Sequence, residues 1–510
     1  MRGDVIMSDK TQKSEPKIDI DQLFITRNGK TIADERLSDK LYHIKEERPE
    51  RSSESDSGYE WSEMGLAELF SVVYKNEVKY CEGYKSWFVY NGHIWDKDPS
   101  GHATAGKLQE FTRLLNIYAW DIAEEEIRNA YTKFTKKLED RRVRDRVQKD
   151  AITELSVEPT IFDANPYLIN CKNGTYDLKT HKFTEHRWED FLTMTTKFGY
   201  GRFKYKSERW LKFIDEITEG DKHKADFLQR ALGYSLLGES NEECMFILHG
   251  KTTRNGKSTL LNTICSMLGD YSTVANVQLI CKGSSQKSQS ATPEIMALKG
   301  RRFVTMAENE DDSRLDESKI KQFTGGEEIT GRALYQAPIT FLPQFSLWLS
   351  CNDLPEVTDK SLFTSERLKV VEFNRHFSQA EQDKHLKSEL LTEENMRGIF
   401  AWLIEGYKKY KKHGLVVSDD MQRVIKRYEE DCDVVLQFLN CRCERVDDGK
   451  LTKVKEIHTA YKSWAKGEGL QVMSSRKFRA EIDRHPEWYD RKSTKDGYIA
   501  YGGLKLKEIM

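Results

Sequence analysis

Two kinds of hydrophobic pattern alternate along the chain. Short apolar or alternating runs bounded by Gly, Asn or Asp read as strands, and longer runs with apolar residues three and four apart read as amphipathic helices. "WFVYNGHIWDKD" (87–98) predicts a hairpin turning at Asn91-Gly92. Residues 111–150 predict helix, ending in a cationic run of Lys133, Lys136, Lys137, Arg141, Arg142, Arg144, Arg146 and Lys149. Acidic residues interleave with those cations, so the run reads as a solvated helix face. "PYLINCKNGTYDLKTHKFTEH" (166–186) predicts short strands, and 208–237 an amphipathic helix closing near Gly238. The first sixty residues hold sixteen of the AVILMFWYC set, about 27%, against 38% for the chain, and are expected to be largely disordered.

At 510 residues the chain is expected to hold about three domains. Charged residues make up 32%, and the mean hydropathy is −0.70. No apolar run approaches the ~18–20 residues of a spanning helix, so a cytoplasmic protein without membrane contact is expected, in a bacterial host cell. Lys+Arg 81 against Asp+Glu 83 gives a net charge of −2, so contact with nucleic acid has to come from local clusters. Nine scattered cysteines without a C-x-x-C pair argue for reduced thiols and against a zinc module. The histidines, including His249, lack metal-ligand spacing and read as structural.

The sharpest chemical signal is "CMFILHG" followed by "KTTRNGKSTLLNTICSML": an apolar strand, a glycine-bounded loop and a helix with Leu260, Leu261, Ile264, Met267 and Leu268 on one face. Such a loop aims backbone N–H groups and a helix N-terminus at phosphate, with Lys257 reaching the β/γ-phosphates and Ser258 binding Mg²⁺. Five residues separate Gly250 from Gly256, one more than the usual G-x-x-x-x-G-K-[ST] spacing. A second strand, "RRFVTMAENED", ends in Glu308 and Glu310; Glu308 is placed to hold Mg²⁺ or orient the attacking water. A hairpin is expected to turn near Tyr335-Gln336-Ala337-Pro338. The strand "FSLWLSCN" ends at Asn352, where a polar side chain senses γ-phosphate or opens a turn. Arg367, directly before the strand in "SERLKVVEF", is either a structural ion-pair former or an arginine finger for a neighbouring subunit.

Taken in order, "HGKTTRNGKST", "RRFVTMAENED", "KQFTGGEEITGR", "LWLSCNDLP" and "SERLKVVEF" resemble superfamily 3 helicases, and most closely the phage/plasmid and poxvirus-type primase-helicase family. The resemblance extends over "WFVYNGHIW" and "FDANPYLINCKNGTYDL" and on to the C-terminus, roughly residues 59–506. It implies an α/β fold: an AAA+-like P-loop ATPase core with an α+β N-terminal domain, a helical collar and lid, and a C-terminal winged helix. It implies ATP and Mg²⁺ as cofactors and a homo-hexameric ring on single-stranded and forked DNA, travelling 3′ to 5′. Site residues follow by position. Gly250, Asn255, Gly256, Lys257, Ser258 and Thr259 bind nucleotide, and Ser258 and Glu308 serve the metal. Lys257, Glu308, Asn352 and Arg367 are catalytic, Arg367 in trans. Lys321 belongs to the motif before the hairpin, and Arg332 and Tyr335 on that hairpin face DNA. No catalytic primase domain, and no primer synthesis, is expected from these residues.

The expected organisation is a disordered tail (1–58), the N-terminal α+β domain (59–200), a helical collar (201–237), the ATPase domain (238–377), a helical lid and connector (378–432) and a winged helix (433–510). In the last, "KLTKVKEIHTAYKSWAKGEG" and "SSRKFRAEIDRHP" read as helices, the second bearing Arg476, Lys477 and Arg479, and the remainder as a hairpin turning at Asp496-Gly497. Sixteen Lys+Arg against twelve Asp+Glu give this unit a net charge of +4, which favours DNA, including origin duplex; the alternative is a protein-docking cap. The function expected is ATP-dependent DNA unwinding for a phage, plasmid or genomic island, with a separate primase, polymerase or single-strand-binding protein as partner. Two other readings share the residues: an origin-binding ATPase or helicase loader that does not unwind, and a non-enzymatic DNA-binding scaffold with a degenerate loop.

Overall fold

The computed structural model describes residues 17–19 and 58–507, apart from 121, 123, 202–204, 284–291, 308–313, 335–337, 448–449 and 496–497. Within the expected tail, Lys17–Asp19 pairs antiparallel with Gly58–Glu60; the remainder of 1–57 lies outside the described residues.

The predicted hairpin forms from Ser86–Tyr90 and Trp95–Asp98, with the Asn91 side chain accepting from the amides of His93 and Ile94 at its turn. The helical stretch 111–150 divides into His102–Ala119, Glu125–Thr135 and Arg141–Asp150, the last started by the Asp140 side chain accepting from Arg142 N. Leu168–Cys171, Gly174–Asp177 and Lys182–Thr184 form an antiparallel sheet. Where the pattern predicts one helix over 208–237, there are two, α1 (Glu208–Thr218) and α2 (Lys222–Tyr234). The break falls where Glu219 and Gly220 both take positive φ and close a left-handed C-cap.

The centre is a five-stranded parallel sheet. Its strands are β1 (Met245–His249), β2 (Ser272–Val274), β3 (Phe303–Ala307), β6 (Ser346–Cys351) and β7 (Leu368–Glu372), in the spatial order β2-β3-β6-β1-β7. Helix α3 (Lys257–Leu268) follows β1, and an antiparallel hairpin of β4 (Ile329–Gly331) and β5 (Ile339–Phe341) precedes β6. Buried on both faces, β1 is apolar from Met245 to Leu248, and its side chains alternate between two cores. Phe246 and Leu248 join the layer of α1, α2, α3 and α4 (Glu393–His413), with Phe246 stacked on Trp348 at 4.3 Å; Met245 and Ile247 join the opposite layer. Helices α2 and α4 approach so closely that a Cβ on Gly406 would lie 2.0 Å from Gln229 O, and one on Gly233 2.2 Å from Tyr407 N.

Helix α5 (Asp419–Asp431) leads into a C-terminal unit. It comprises α6 (Val434–Arg442), β8 (Cys443–Arg445), β9 (Leu451–Lys453), α7 (Val454–Gly467), α8 (Ser475–Ile482), β10 (Arg491–Lys495), β11 (Tyr498–Gly502) and β12 (Leu504–Leu506). The predicted helices and hairpin are present, joined by α6 and by β8, β9 and β12; the expected turn residues 496–497 lie outside the described residues. A core of Phe438, Ile457, Tyr461, Phe478 and Tyr501 holds the unit together.

This unit docks on the sheet domain through charge. Lys360 contacts both Asp433 and Glu481, and His485 Nε2 lies 2.8 Å from Asp433 Oδ2. The Asp433 carboxylate also caps α6 by accepting from Val435 N and Leu436 N. Although burial alone would raise it, the His485 and Lys360 contacts hold Asp433 down at about 2, and the Asp433 carboxylate raises His485 above its ordinary value. The His485 contribution is therefore complete below pH ~6.5 and fades as pH rises through its folded pKa; the Asp433 contribution is complete above pH ~4 and fades toward pH 2. We expect the stability that this pair contributes to be greatest near pH 5–6, where both contributions are complete. In His485→Gln the loss of stability between pH 6 and 9 should flatten, as read by urea unfolding monitored through tryptophan fluorescence.

Among the described residues, no helix is long and apolar enough to cross a membrane. All nine cysteines are free thiols.

Candidate functional site

Chain direction singles out one edge of the sheet. From β1 the chain crosses to β2 at one margin, and from β6 to β7 at the other, so the loops leaving these adjacent strands diverge. A crevice opens at their carboxyl ends, the position where open parallel sheets bind ligands.

The loop between β1 and α3 fills that crevice. Gly250 has no room for a side chain, since a Cβ would lie 2.5 Å from Phe373 O. Gly256 takes φ +90°, and its Cβ would meet Ile217 at 2.4 Å. Thr252–Arg254 form an exposed excursion of the loop, with Arg254 at φ +57°. Asn255 is buried across its base, donating from Nδ2 to Thr252 O at 2.6 Å. His376 Nδ1 donates to Thr253 O at 2.8 Å and Phe377 N to Arg254 O at 3.0 Å, fastening the excursion to the segment after β7.

Lys257 opens α3 and is only 4% exposed. Its Nζ donates to Gly250 O at 2.9 Å, Cys351 O at 2.6 Å and Asn352 Oδ1 at 3.1 Å. Two residues singled out 95 positions apart thus meet between the tips of β1 and β6. Ser258 is exposed and Thr259 half-exposed on the first turn of α3, where the N-cap Gly256 offers no side chain and Asn255 Oδ1 accepts from Lys257 N at 3.5 Å; the helix N-terminus and its dipole favour an anion there. The cleft has a volume of about 1060 Å³ and is lined by Lys257, Ser258 and Asn352, by Arg254 of the loop, and by Arg427 and Tyr428 of α5. Tyr428 hydroxyl donates to Pro355 O, tying α5 to the turn after Asn352.

The remaining predicted residues lie elsewhere. Glu308 follows Ala307, the last residue of β3, and is outside the described residues, as is Tyr335. Arg367 precedes β7 at the opposite edge of the sheet, where its guanidinium donates to Thr324 Oγ1 at 2.8 Å and pairs with Glu243. Lys321 donates to Ser361 Oγ at 2.7 Å, away from the cleft. Arg332 is exposed just beyond β4, its backbone N bonded to Thr292 Oγ1. Arg476 and Lys477 are exposed on the first turn of α8, whereas Arg479 is half-buried toward Asp483. Among the described residues no group of three or more His, Cys, Asp or Glu is arranged to hold a metal. Sequence reasoning missed Glu372, Arg427 and the Glu243 partner of Arg367. Glu372, ending an apolar run, gave a faint signal; Arg427 gave none, because only the packing of α5 brings it to the cleft.

Three family models match the chain: D5 N terminal like over residues 67–219, a family of unknown function (DUF5906) over 248–367, and poxvirus D5 protein-like over 430–506. "Putative helicase L207/L206" of Acanthamoeba polyphaga mimivirus is 28% identical over 80% of this chain and 46% of its own length. "Putative helicase V13" of Sputnik virophage is 24% identical over 79% of this chain and 54% of its own. The chain spans about half the length of these curated relatives. Relatives from African swine fever virus carry the name "Putative primase". An apo structure of the NrS-1 C-terminal region aligns over 86% of this chain and 98% of its own, with a TM-score of 0.48 and 11% identity.

Proposed function

We propose that this chain, whose segments match the D5 N-terminal-like and poxvirus D5-like families as the sequence resemblance anticipates, is an ATP-dependent DNA helicase that replicates a viral or mobile-element genome. The observation that carries this reading is the meeting of Lys257 and Asn352 at the divergence of the loops after β1 and β6. A triphosphate seated there lies on the N-terminus of α3, and Lys257 exchanges its carbonyl and Asn352 partners for phosphate oxygens. With five residues between Gly250 and Gly256 the loop still keeps Lys257 buried at the start of α3, which favours a working phosphate loop over a degenerate one.

Ser258, facing the cleft, and Glu308, following β3, are the residues for Mg²⁺, which screens the phosphate charge when bound. Glu308 also orients the attacking water, and Asn352 reports on the γ-phosphate. Arg367 cannot serve its own cleft: it lies five residues back along β7, about 17 Å at the rise of a strand. That placement suits a finger offered to the next subunit of a hexameric ring, with the Glu243 pair as its resting partner. The β4–β5 hairpin, with Arg332 and Tyr335 and with Lys321 in the preceding motif, is assigned to single-stranded DNA in the channel. The C-terminal unit is assigned as a winged helix using Arg476 and Lys477 on duplex, with Arg479 supporting α8.

The test is ATP-dependent separation of forked duplexes with single-stranded tails of either polarity. Strand separation that depends on one tail polarity is expected. Hydrolysis stimulated by DNA without separation would instead establish the loader reading.

A further inference from the structure

The cleft is not made by the sheet domain alone. Its lining includes Val434 and Gln437 of α6 and Leu470 beyond α7, all three from the C-terminal unit. That unit is a separate body. Its core, which holds Phe438, Tyr461 and Tyr501, shares no residue with the core of the sheet domain to which Tyr428 of α5 belongs. The chain passes from one body to the other at Cys432-Asp433, between the end of α5 and the start of α6. A second cavity, of about 690 Å³, lies where they meet, and its lining runs from Asp359, Lys360 and Ser361 on one side to Arg484, His485 and Glu487 on the other. Among the described residues, Leu436 is its one apolar lining side chain. An interface that holds a polar cavity in place of apolar packing permits the two bodies to move relative to one another.

Lys360 spans that interface. Its side chain is 17% exposed, and its ammonium contacts the Asp433 carboxylate and lies 3.4 Å from Glu481 Oε2 of α8. Asp433 is the N-cap of α6 and directly precedes Val434, so holding it fixes the start of the helix that brings Val434 and Gln437 to the cleft. On the other side, Lys360 stands in the β6–β7 connection, eight residues after Asn352. Two hydrogen bonds fasten the stretch between them: Pro355 O accepts from the Tyr428 hydroxyl, and Asp359 N donates to Glu317 Oε1 at 3.0 Å. Lys360 is therefore held in a fixed relation to the tip of β6, where Asn352 meets Lys257. Lys360, Asp433 and Glu481 themselves stand outside the cleft lining.

We infer that the C-terminal unit is a movable wall of the nucleotide cleft and that Lys360 is the positioning residue that sets this wall against the site. This inference rests on the nucleotide reading of the cleft. With the unit docked, Val434, Gln437 and Leu470 are presented to the bound nucleotide; with it undocked, that side of the cleft opens to solvent. The affinity of the whole chain for nucleotide then scales with the docked fraction, and bound nucleotide in turn draws the unit onto the sheet domain. Helix α8 carries Arg476 and Lys477 on its first turn and Glu481 near its end, so the unit assigned to duplex DNA is the one that nucleotide holds in place.

Equilibrium binding of the non-hydrolysable analogue AMP-PNP, with Mg²⁺, to the full chain tests it. Lys360→Met removes the cation between Asp433 and Glu481; with about a tenth of the molecules left docked, affinity should fall about tenfold, and Lys360→Arg should keep most of it. A change on the wall itself separates positioning from a general loss of structure. Gln437→Glu, which sets a carboxylate on the cleft lining, should weaken binding by about fivefold in wild type and by less than about twofold in Lys360→Met, where the wall has moved away. Bound analogue should also slow hydrogen exchange of the α6 amides in wild type and leave it unchanged in Lys360→Met. Circular dichroism checks that each variant folds, and Glu481→Gln, which removes one of the two acids that Lys360 holds, carries the same comparison with a smaller loss if Lys360→Met does not. Wild-type affinity in folded Lys360→Met, or an equal effect of Gln437→Glu in both backgrounds, would overturn the inference. If wild type does not bind the analogue, or binding survives Lys257→Ala, the nucleotide reading itself has failed and the wall falls with it.

Discussion

Lys257→Ala should lower ATP hydrolysis by about 10²–10³-fold and abolish strand separation, with the fold intact. The magnitude is that of removing one preorganised charge-stabilising donor from a dry site, roughly 3–4 kcal/mol. Lys257 is buried, and its Nζ is held on three oxygens at the mouth of the crevice, so the ammonium is in place before any phosphate arrives. Removing it also leaves Gly250 O, Cys351 O and Asn352 Oδ1 without that donor, a local cost that circular dichroism and thermal melts would register as a modest fall in melting temperature. Steady-state hydrolysis alongside those melts separates the two effects. Retention of more than a tenth of wild-type turnover would remove the loop from the catalytic account.

Arg367→Ala should lower turnover by about 10³-fold, the low end of what an arginine finger contributes. A structural role for Arg367, through Thr324 and Glu243, predicts a stability loss instead. Subunit mixing distinguishes them. In rings assembled from Lys257→Ala and Arg367→Ala chains, some interfaces pair an intact Lys257 with an intact Arg367 of the neighbour, and activity should reappear although each parent is dead. A residue acting only within its own chain gives no such recovery. Glu243→Gln adds a second measure: releasing the resting partner should leave turnover unchanged or raise it, whereas a purely structural pair would show up as lost stability.

Much of the site was legible in order along the chain. The apolar run ending at His249, the glycine-bounded loop and the Leu260/Leu261/Ile264/Met267/Leu268 face predict strand, loop and helix because each has a local physical cause: burial on both faces, positive φ, and helical period. The strands ending at Ala307 and Cys351 follow for the same reason. The helix expected over 208–237 was misjudged at Glu219-Gly220. There the amphipathic period continues on either side of a left-handed cap and masks the local signal of the break, which is Gly220 in the cap followed by Asp221 as the N-cap of α2. The strands β8, β9 and β12 are three residues each, too short to show a period.

By itself the sequence determined which segments are buried strands and where the glycine-bounded loop and its helix lie, because these rest on local backbone geometry and on residue types; that Lys257 and Asn352 share one chemistry was an expectation carried by the resemblance of the ordered segments. Only the tertiary structure decided that β1 lies between β6 and β7, which brings Lys257 to Asn352 and sends Arg367 to the far edge. It alone set Glu372 beside His249 and folded α5 over the cleft with Arg427. Strand order and domain docking are settled by contacts between residues dozens to hundreds of positions apart, and no local pattern of polar and apolar residues encodes which of those surfaces will meet.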